Sequence, residues 1–173
     1  MSILLSQAPE LQAMPKASPL SSEVHNIVHI MTLIRNPRSG EELLLLFRRK
    51  PDDTFGGRLN CPSGHIDGSE TKRAAAVREF AEETGIGRKM MFRYLGEMSV
   101  ETNIGTFNSH SLIARITPEE YGAIINTEHM PGSKMAIALS GIGASTLSEM
   151  TPVDAAIIRA AMARGADKLA ALV

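Results

Sequence analysis

Apolar and polar positions divide this chain into segments of different period. Residues 24–34 are rich in β-branched side chains (Val24, Ile27, Val28, Ile30, Thr32, Ile34) and predict a strand. Asn36-Pro37-Arg38-Ser39-Gly40 carries turn residues. Residues 43–47 form an unbroken apolar run bounded by charges, the pattern of a strand buried on both faces of a parallel or mixed sheet. These two strands are expected to pair as a hairpin. Residues 51–57 read as a loop and 58–62 as a short strand. Residues 90–101 and Gly105–Ile116 read as two more strands. Thr117, followed by Pro118, caps a short helix. Residues 126–134 are a loop, and 135–150, small and glycine-bearing, match no single element. Thr151-Pro152 opens a last helix to about residue 172, apolar enough to need docking on the sheet or on a second copy. Residues 1–22, with Pro9, Pro15 and Pro19, read as a flexible arm, and 23–173 as one domain. Strands around a short acidic helix, with a long helix last, predict an α/β fold.

That acidic helix organises the rest. On residues 69–84, at about 100° per residue, Glu79 and Glu83 stand one above the other on one face. Glu82 lies about 60° to one side of Glu79. Ala74, Val77, Phe80, Ala81 and Thr84 fall on the other side, where a core is expected to take them. Ser69 is the expected N-cap, with Glu70 in the first turn and Gly85 as the terminating residue. Stacked carboxylates repel unless a cation lies between them, and a hard divalent ion favours such oxygen ligands. A solvated acidic face is the alternative for three glutamates taken alone.

The chain has 173 residues, 43% apolar and 21% charged, ordinary for a globular domain. A net charge of −1 leaves no footprint for nucleic acid or an anionic membrane. No apolar run approaches the roughly 18 residues of a membrane helix. One cysteine, Cys61, excludes an internal disulfide and suits a reducing cytosol, so a cytoplasmic location is expected. His65, His110 and His129 show no paired ligand spacing, and Cys61 reads as a buried thiol. Arg48-Arg49-Lys50 is either a solvated cluster or a holder of substrate phosphates.

Reading from Gly64, five residues lead to Glu70 and seven more to Arg78-Glu79-Phe80-Ala81-Glu82-Glu83-Thr84-Gly85-Ile86. This stretch resembles the Nudix box, G-x5-E-x7-R-E-U-x-E-E-x-G-U, at every fixed position. A chance match is on the order of one in ten million. The resemblance implies an α/β/α sandwich with a mixed β-sheet and a Mg²⁺- or Mn²⁺-dependent hydrolase that cleaves a nucleoside diphosphate linked to another group. It implies Glu79 and Glu83 as metal ligands, Glu82 as a further ligand or the general base, the Gly64 carbonyl as a ligand, and Arg78 as the residue that orients the carboxylates. Glu70 is included among the metal residues, acting from the helix start, or is structural. The family's glutamate from outside the box is assigned to Glu128, with Glu97, Glu101 and Glu120 as competitors. Ser63 departs from the family's Pro-Gly-Gly approach to the box.

A (d)NTP-type substrate is slightly preferred, because residues 102–104 carry neither the proline of many ADP-ribose enzymes nor the tyrosine of many dinucleoside polyphosphate hydrolases. The alternatives are an ADP-ribose, nucleotide-sugar or dinucleotide pyrophosphatase and a non-catalytic nucleotide-binding module. The complete glutamate set argues against the last. Near-zero charge disfavours an RNA-processing hydrolase. A nucleotide is the expected partner, and the arm and last helix leave room for a homodimer. Glu83→Gln is expected to abolish turnover with little effect on the fold.

Overall fold

The computed structural model describes residues 22–124 and 132–173. The arm expected for residues 1–22, Glu128 and His129 lie outside them, save residue 22.

The expected hairpin forms: β1 (Val24–Arg35) runs antiparallel to β2 (Glu42–Arg49), with Leu33 opposite Leu44. Its turn closes as the residue types require. The Asn36 carbonyl accepts from the Gly40 N–H at 2.8 Å, and Gly40 takes φ +73°, which costs glycine little. β3 (Leu59–Asn60) and β4 (Ser63–His65) pair with β2 and β1, respectively. β5 (Arg93–Thr102) and β6 (Gly105–Ile116) form a second antiparallel pair. β6 lies parallel to β1 from Val24/Thr106 to Ile34/Ile116, which makes the sheet mixed. β7 (Gly132–Ala138) adds to β2. The seven described strands share one sheet, with a central order β3-β2-β1-β6-β5.

Strand period two splits the core in two. Val28, Ile30, Leu45, Phe47, Leu112 and Ala114 pack under α1 (Lys72–Thr84) and α2 (Pro118–Ala123). Met31, Leu33, Leu44, Leu46 and Ile113 pack on the other face under α3 (Ala144–Glu149), α4 (Pro152–Met162) and α5 (Ala166–Ala170). The result is the expected α/β/α sandwich, and the apolar run of β2 is buried on both faces.

Four boundaries differ from expectation. The first of the later strands starts at Arg93, because Met90 and Phe92, each 5% exposed, drop into the α1-side core before pairing begins. Residues 135–150 combine the end of β7, a 3-10 turn (Leu139–Gly141) and α3. Lys134, expected in a loop, lies in β7. The last helix is two, broken at Gly165, whose φ of +95° no helix interior accommodates. Both pack on the sheet face as their composition demands. Thr117 caps α2 as expected, in a full capping box with Glu120.

Candidate active site

The glutamate helix begins two residues later than its sequence suggests. Thr71, not Ser69, is the N-cap, its Oγ1 accepting from the Ala74 N–H at 3.2 Å. Residues 67–70 instead form a turn, with Glu70 N–H donating to Asp67 O at 2.8 Å and Gly68 at φ +49°. Glu70 therefore acts from the turn before the helix, not from its first turn. Gly85 ends the helix at φ +73°, its N–H donating to Ala81 O at 2.8 Å.

The buried face is also not the expected one. Phe80 and Thr84 are buried as expected, but Val77 is 45% exposed and Ala74 is exposed. Ala75, Ala76 and Glu83 are buried instead. On the helical wheel, Glu79 and Glu83 lie at the centre of an arc of about 180° that runs from Ala75 to Thr84. The glutamate stack thus faces inward, against the strand that precedes the helix. The apolar and acidic positions share one side because β4 needs the carboxylates there.

Gly64 shows how closely they fit. A Cβ on this residue would stand 1.9 Å from Glu79 Cδ, so the carboxylate occupies the space that any side chain would need. Gly64 φ lies outside the left-handed region, so the glycine is required by that approach and not by the backbone. Ser63, the departure from the family approach, fits without a left-handed backbone, and its N–H donates to Glu83 Oε2 at 3.2 Å.

Arg78 holds the cluster from outside. Its Nη1 donates to Glu79 Oε1 at 2.7 Å, its Nε and Nη2 donate to the two Glu70 oxygens at 3.2 and 2.9 Å, and Nη2 also donates to His65 O at 2.9 Å. Nη1 lies 3.5 Å from Glu82, whose carboxylate is partly open to solvent. These bonds hold the Glu70 carboxyl below its ordinary range and stabilise the guanidinium charge. Burial pushes Glu79 up, against the pull of Arg78. Burial pushes Glu83 far higher, Glu79 adds to the rise, and the Ser63 N–H only partly opposes it. A buried glutamate, 7% exposed and beside a second one, is the electrostatic arrangement that a bound cation relieves. The oxygen donors Glu79, Glu83 and Glu82 therefore fit a hard divalent ion.

Next to this cluster opens a cleft of about 430 Å³ that includes Gly64, Ser63 and Glu83 at one end and Arg49, Lys50, Phe55 and Phe107 along its walls. The basic triplet splits: Arg48 turns away to Glu149 at 2.8 Å, whereas Arg49 and Lys50 line the cleft. Of the aromatic residues, Phe92 enters the core, while Phe55 and Phe107 border the cleft with ring centroids 6.3 Å apart. His25 stacks on Phe107 at 4.5 Å. Phe55 has φ +59°, a strained backbone for an aromatic residue and one that recurs at binding sites.

Glu97 pairs with Lys72 and His110 at 3.4 and 3.3 Å, and Glu120 is bonded to Arg88 and to its own helix cap. Neither Glu97, Glu101 nor Glu120 lines the cleft.

One constellation has no sequence signal. His29, Cys61 and Asp154, from β1, the loop before β4 and α4, meet in the interior. Asp154 Oδ1 accepts from His29 Nε2 and from Cys61 N–H, both at 2.7 Å, and Thr151 Oγ1 donates to Oδ2. The His29–Asp154 separation is a hydrogen bond and is shorter than the roughly 3.3 Å between two tetrahedral ligands of an ion with bonds of about 2.0–2.1 Å. Burial, with Asp154 next, pushes the Cys61 thiol up, so it remains protonated and is no nucleophile. The group is a buried tie between sheet and helix.

Several solved structures share this fold. A mutT/nudix family protein from Listeria innocua is 15% identical, with a TM-score of 0.65 over 83% of this chain and 95% of that one. The Nudix hydrolase RenU from M. smegmatis is 19% identical, with a TM-score of 0.64 over 83% and 86%. The NUDIX domain of Shewanella oneidensis NrtR, in complex with ADP ribose, is 16% identical, with a TM-score of 0.59 over 87% and 92%. Residues 25–130 match the family model of the NUDIX domain, more than half of the chain, and the protein thus belongs to the Nudix hydrolase family.

Proposed function

We propose that the protein is a Mg²⁺- or Mn²⁺-dependent nucleotide pyrophosphohydrolase that converts a nucleoside triphosphate and water to the monophosphate and pyrophosphate. The observation that carries this reading is the buried Glu83 carboxylate, set beside Glu79 and opening on a cleft whose walls carry Arg49 and Lys50. Acidic and basic groups at one cleft suit a polyphosphate held with a cation.

Glu79 and Glu83, with the Gly64 carbonyl, would hold the ion, which when bound neutralises phosphate oxygens and makes a water more acidic. Arg49 and Lys50 bind the phosphates. Arg78 positions Glu79 and anchors Glu70, which makes Glu70 a positioning residue and not a ligand. Glu82 accepts the proton of the attacking water at a carboxylate oxygen. Glu128, outside the described residues, is the other candidate for that role. Phe55 and Phe107, tilted 53° to each other, offer a ring face against which the base would lie. Among the described residues the cleft offers one such aromatic pair, which suits one nucleobase better than two.

The test is release of phosphate or pyrophosphate with Mg²⁺ and Mn²⁺ from a panel of (d)NTPs, ADP-ribose, nucleotide sugars, dinucleoside polyphosphates and capped RNA. Pyrophosphate from a triphosphate supports the reading. Turnover of ADP-ribose or of a dinucleotide alone replaces its substrate class, and Glu82→Gln and Glu128→Gln then separate the two proton acceptors.

A further inference from the structure

The chain changes partners just before it reaches the metal residues. Asn60 still pairs with Phe47 of β2, whereas Ser63 already pairs with His29 of β1. Cys61 and Pro62, between them, belong to neither strand. Backbone bonds hold the two ends of this crossing: Thr151 N–H donates to Leu59 O and Ile30 N–H to Pro62 O, both at 2.9 Å. The middle is held by a side chain. Cys61 N–H, fully buried with its residue, donates to Asp154 Oδ1 at 2.7 Å.

Asp154 lies in the first turn of α4, where an acidic residue favours the helix dipole even when exposed. Here it is 3% exposed and turned to the crossing. Burial of a carboxylate is costly unless its oxygens are bonded. Oδ1 also lies 2.7 Å from His29 Nε2, and Thr151 Oγ1 donates to Oδ2. His29 is the residue opposite Ser63. One carboxylate therefore grips both the crossing and the strand on which it lands.

The metal residues follow at once. Two positions after Cys61, the Ser63 N–H donates to Glu83 Oε2 at 3.2 Å, and Gly64 next to it lies against the Glu79 carboxylate. Pro62, with its φ fixed by the ring, leaves little slack between them. Asp154 is within electrostatic reach as well: after burial and Glu79, it adds to the rise of the Glu83 carboxyl. Resting on the metal reading above, we propose that Asp154 is a positioning residue of the metal site. Through Cys61 N–H and His29 it fixes the backbone that presents the Ser63 N–H to Glu83 and the Gly64 carbonyl to the ion. The helix layer on the far side of the sheet from α1 thus sets the loop on which the glutamates close.

The test is Mn²⁺ binding by the full chain without nucleotide, read from the loss of the free-ion EPR signal, alongside Tm in EDTA. Asp154→Ala should raise the Mn²⁺ Kd about 10–100-fold, as loss of a partner that orients a ligand does. Asp154→Asn keeps an oxygen for the Cys61 N–H and should restore most of the affinity. Leu169→Ala, a buried position of α5 outside the crossing, should lower Tm and leave the Kd within about twofold. Should Asp154→Ala fail to fold, Asp154→Glu takes its place. Its extra methylene moves the carboxylate off the Cys61 N–H, and its Kd should rise about tenfold or more. An unchanged Kd in the folded variant, an equal rise in Leu169→Ala, or no Mn²⁺ binding by the unaltered protein overturns the inference. Turnover is a separate readout: Mn²⁺ binding that depends on Asp154, with no triphosphate hydrolysed, overturns the hydrolase reading and keeps the positioning role.

Discussion

Glu83→Gln separates the cost of the buried carboxylate from its use. Glu83 is 7% exposed and close to Glu79, and among the described residues its carboxylate accepts one hydrogen bond, from the Ser63 N–H at 3.2 Å. Glutamine keeps the size and the acceptor for Ser63, removes the charge, and offers an amide donor on the side of Glu79. Relief of a buried like-charge pair contributes about 1–3 kcal/mol. In a domain of this size that raises Tm by roughly 2–4 °C per kcal/mol. In EDTA the variant should therefore melt above the unaltered protein, a stronger outcome than the neutral effect expected from sequence. With Mg²⁺ at about 100 times its Kd, the unaltered protein gains about 2.7 kcal/mol, or roughly 5–10 °C. The variant should gain little, so its advantage in Tm shrinks by most of that rise. kcat/KM with the preferred triphosphate should fall on the order of 100-fold or more. Melting curves with EDTA and with Mg²⁺, alongside the rate assay, check all three. A variant less stable than the parent in EDTA, or one that retains the full Mg²⁺-induced rise, refutes the reasoning.

Three further outcomes are expected. Gly64→Ala puts a Cβ 1.9 Å from Glu79 Cδ and must displace that carboxylate, so kcat/KM should drop at least about 100-fold while circular dichroism stays native. Arg78→Lys keeps one charge but cannot bridge Glu70, Glu79 and His65 O together; a loss of about 10–100-fold in kcat/KM, with a lower apparent Mg²⁺ affinity, is expected from rate measurements across Mg²⁺ concentrations. The Glu120 carboxyl is held below its ordinary range by Arg88. Its contribution is therefore present above the unfolded glutamate value and lost as pH falls through the folded one. Arg88→Ala should lower the urea midpoint near neutral pH and have less effect once the pH falls below the folded value of Glu120.

The hairpin, the buried run of β2, the capped α2 and the box itself were legible because each rests on local chemistry: β-branching, a proline at N1, fixed glutamate spacing. The inward orientation of Glu79 and Glu83 was not legible, because a helical wheel shows relative faces and not which neighbour a face meets. Gly64 explains the orientation only once Glu79 is seen against it. Thr71 displaced Ser69 as the cap because the 67–70 turn and the Glu70–Arg78 pair are joined across eight residues. The break at Gly165 had its glycine in plain view, but the run of apolar positions on both sides masked it. His29 and Asp154 lie 125 residues apart, and no periodicity could bring them together.

The most direct test of the central claim is product analysis of the four nucleoside triphosphates incubated with the protein and Mg²⁺, followed by ³¹P NMR. The account predicts a nucleoside monophosphate and pyrophosphate, with neither formed in EDTA nor by Glu83→Gln. A nucleoside diphosphate and inorganic phosphate as products, or hydrolysis that persists in EDTA, would contradict it.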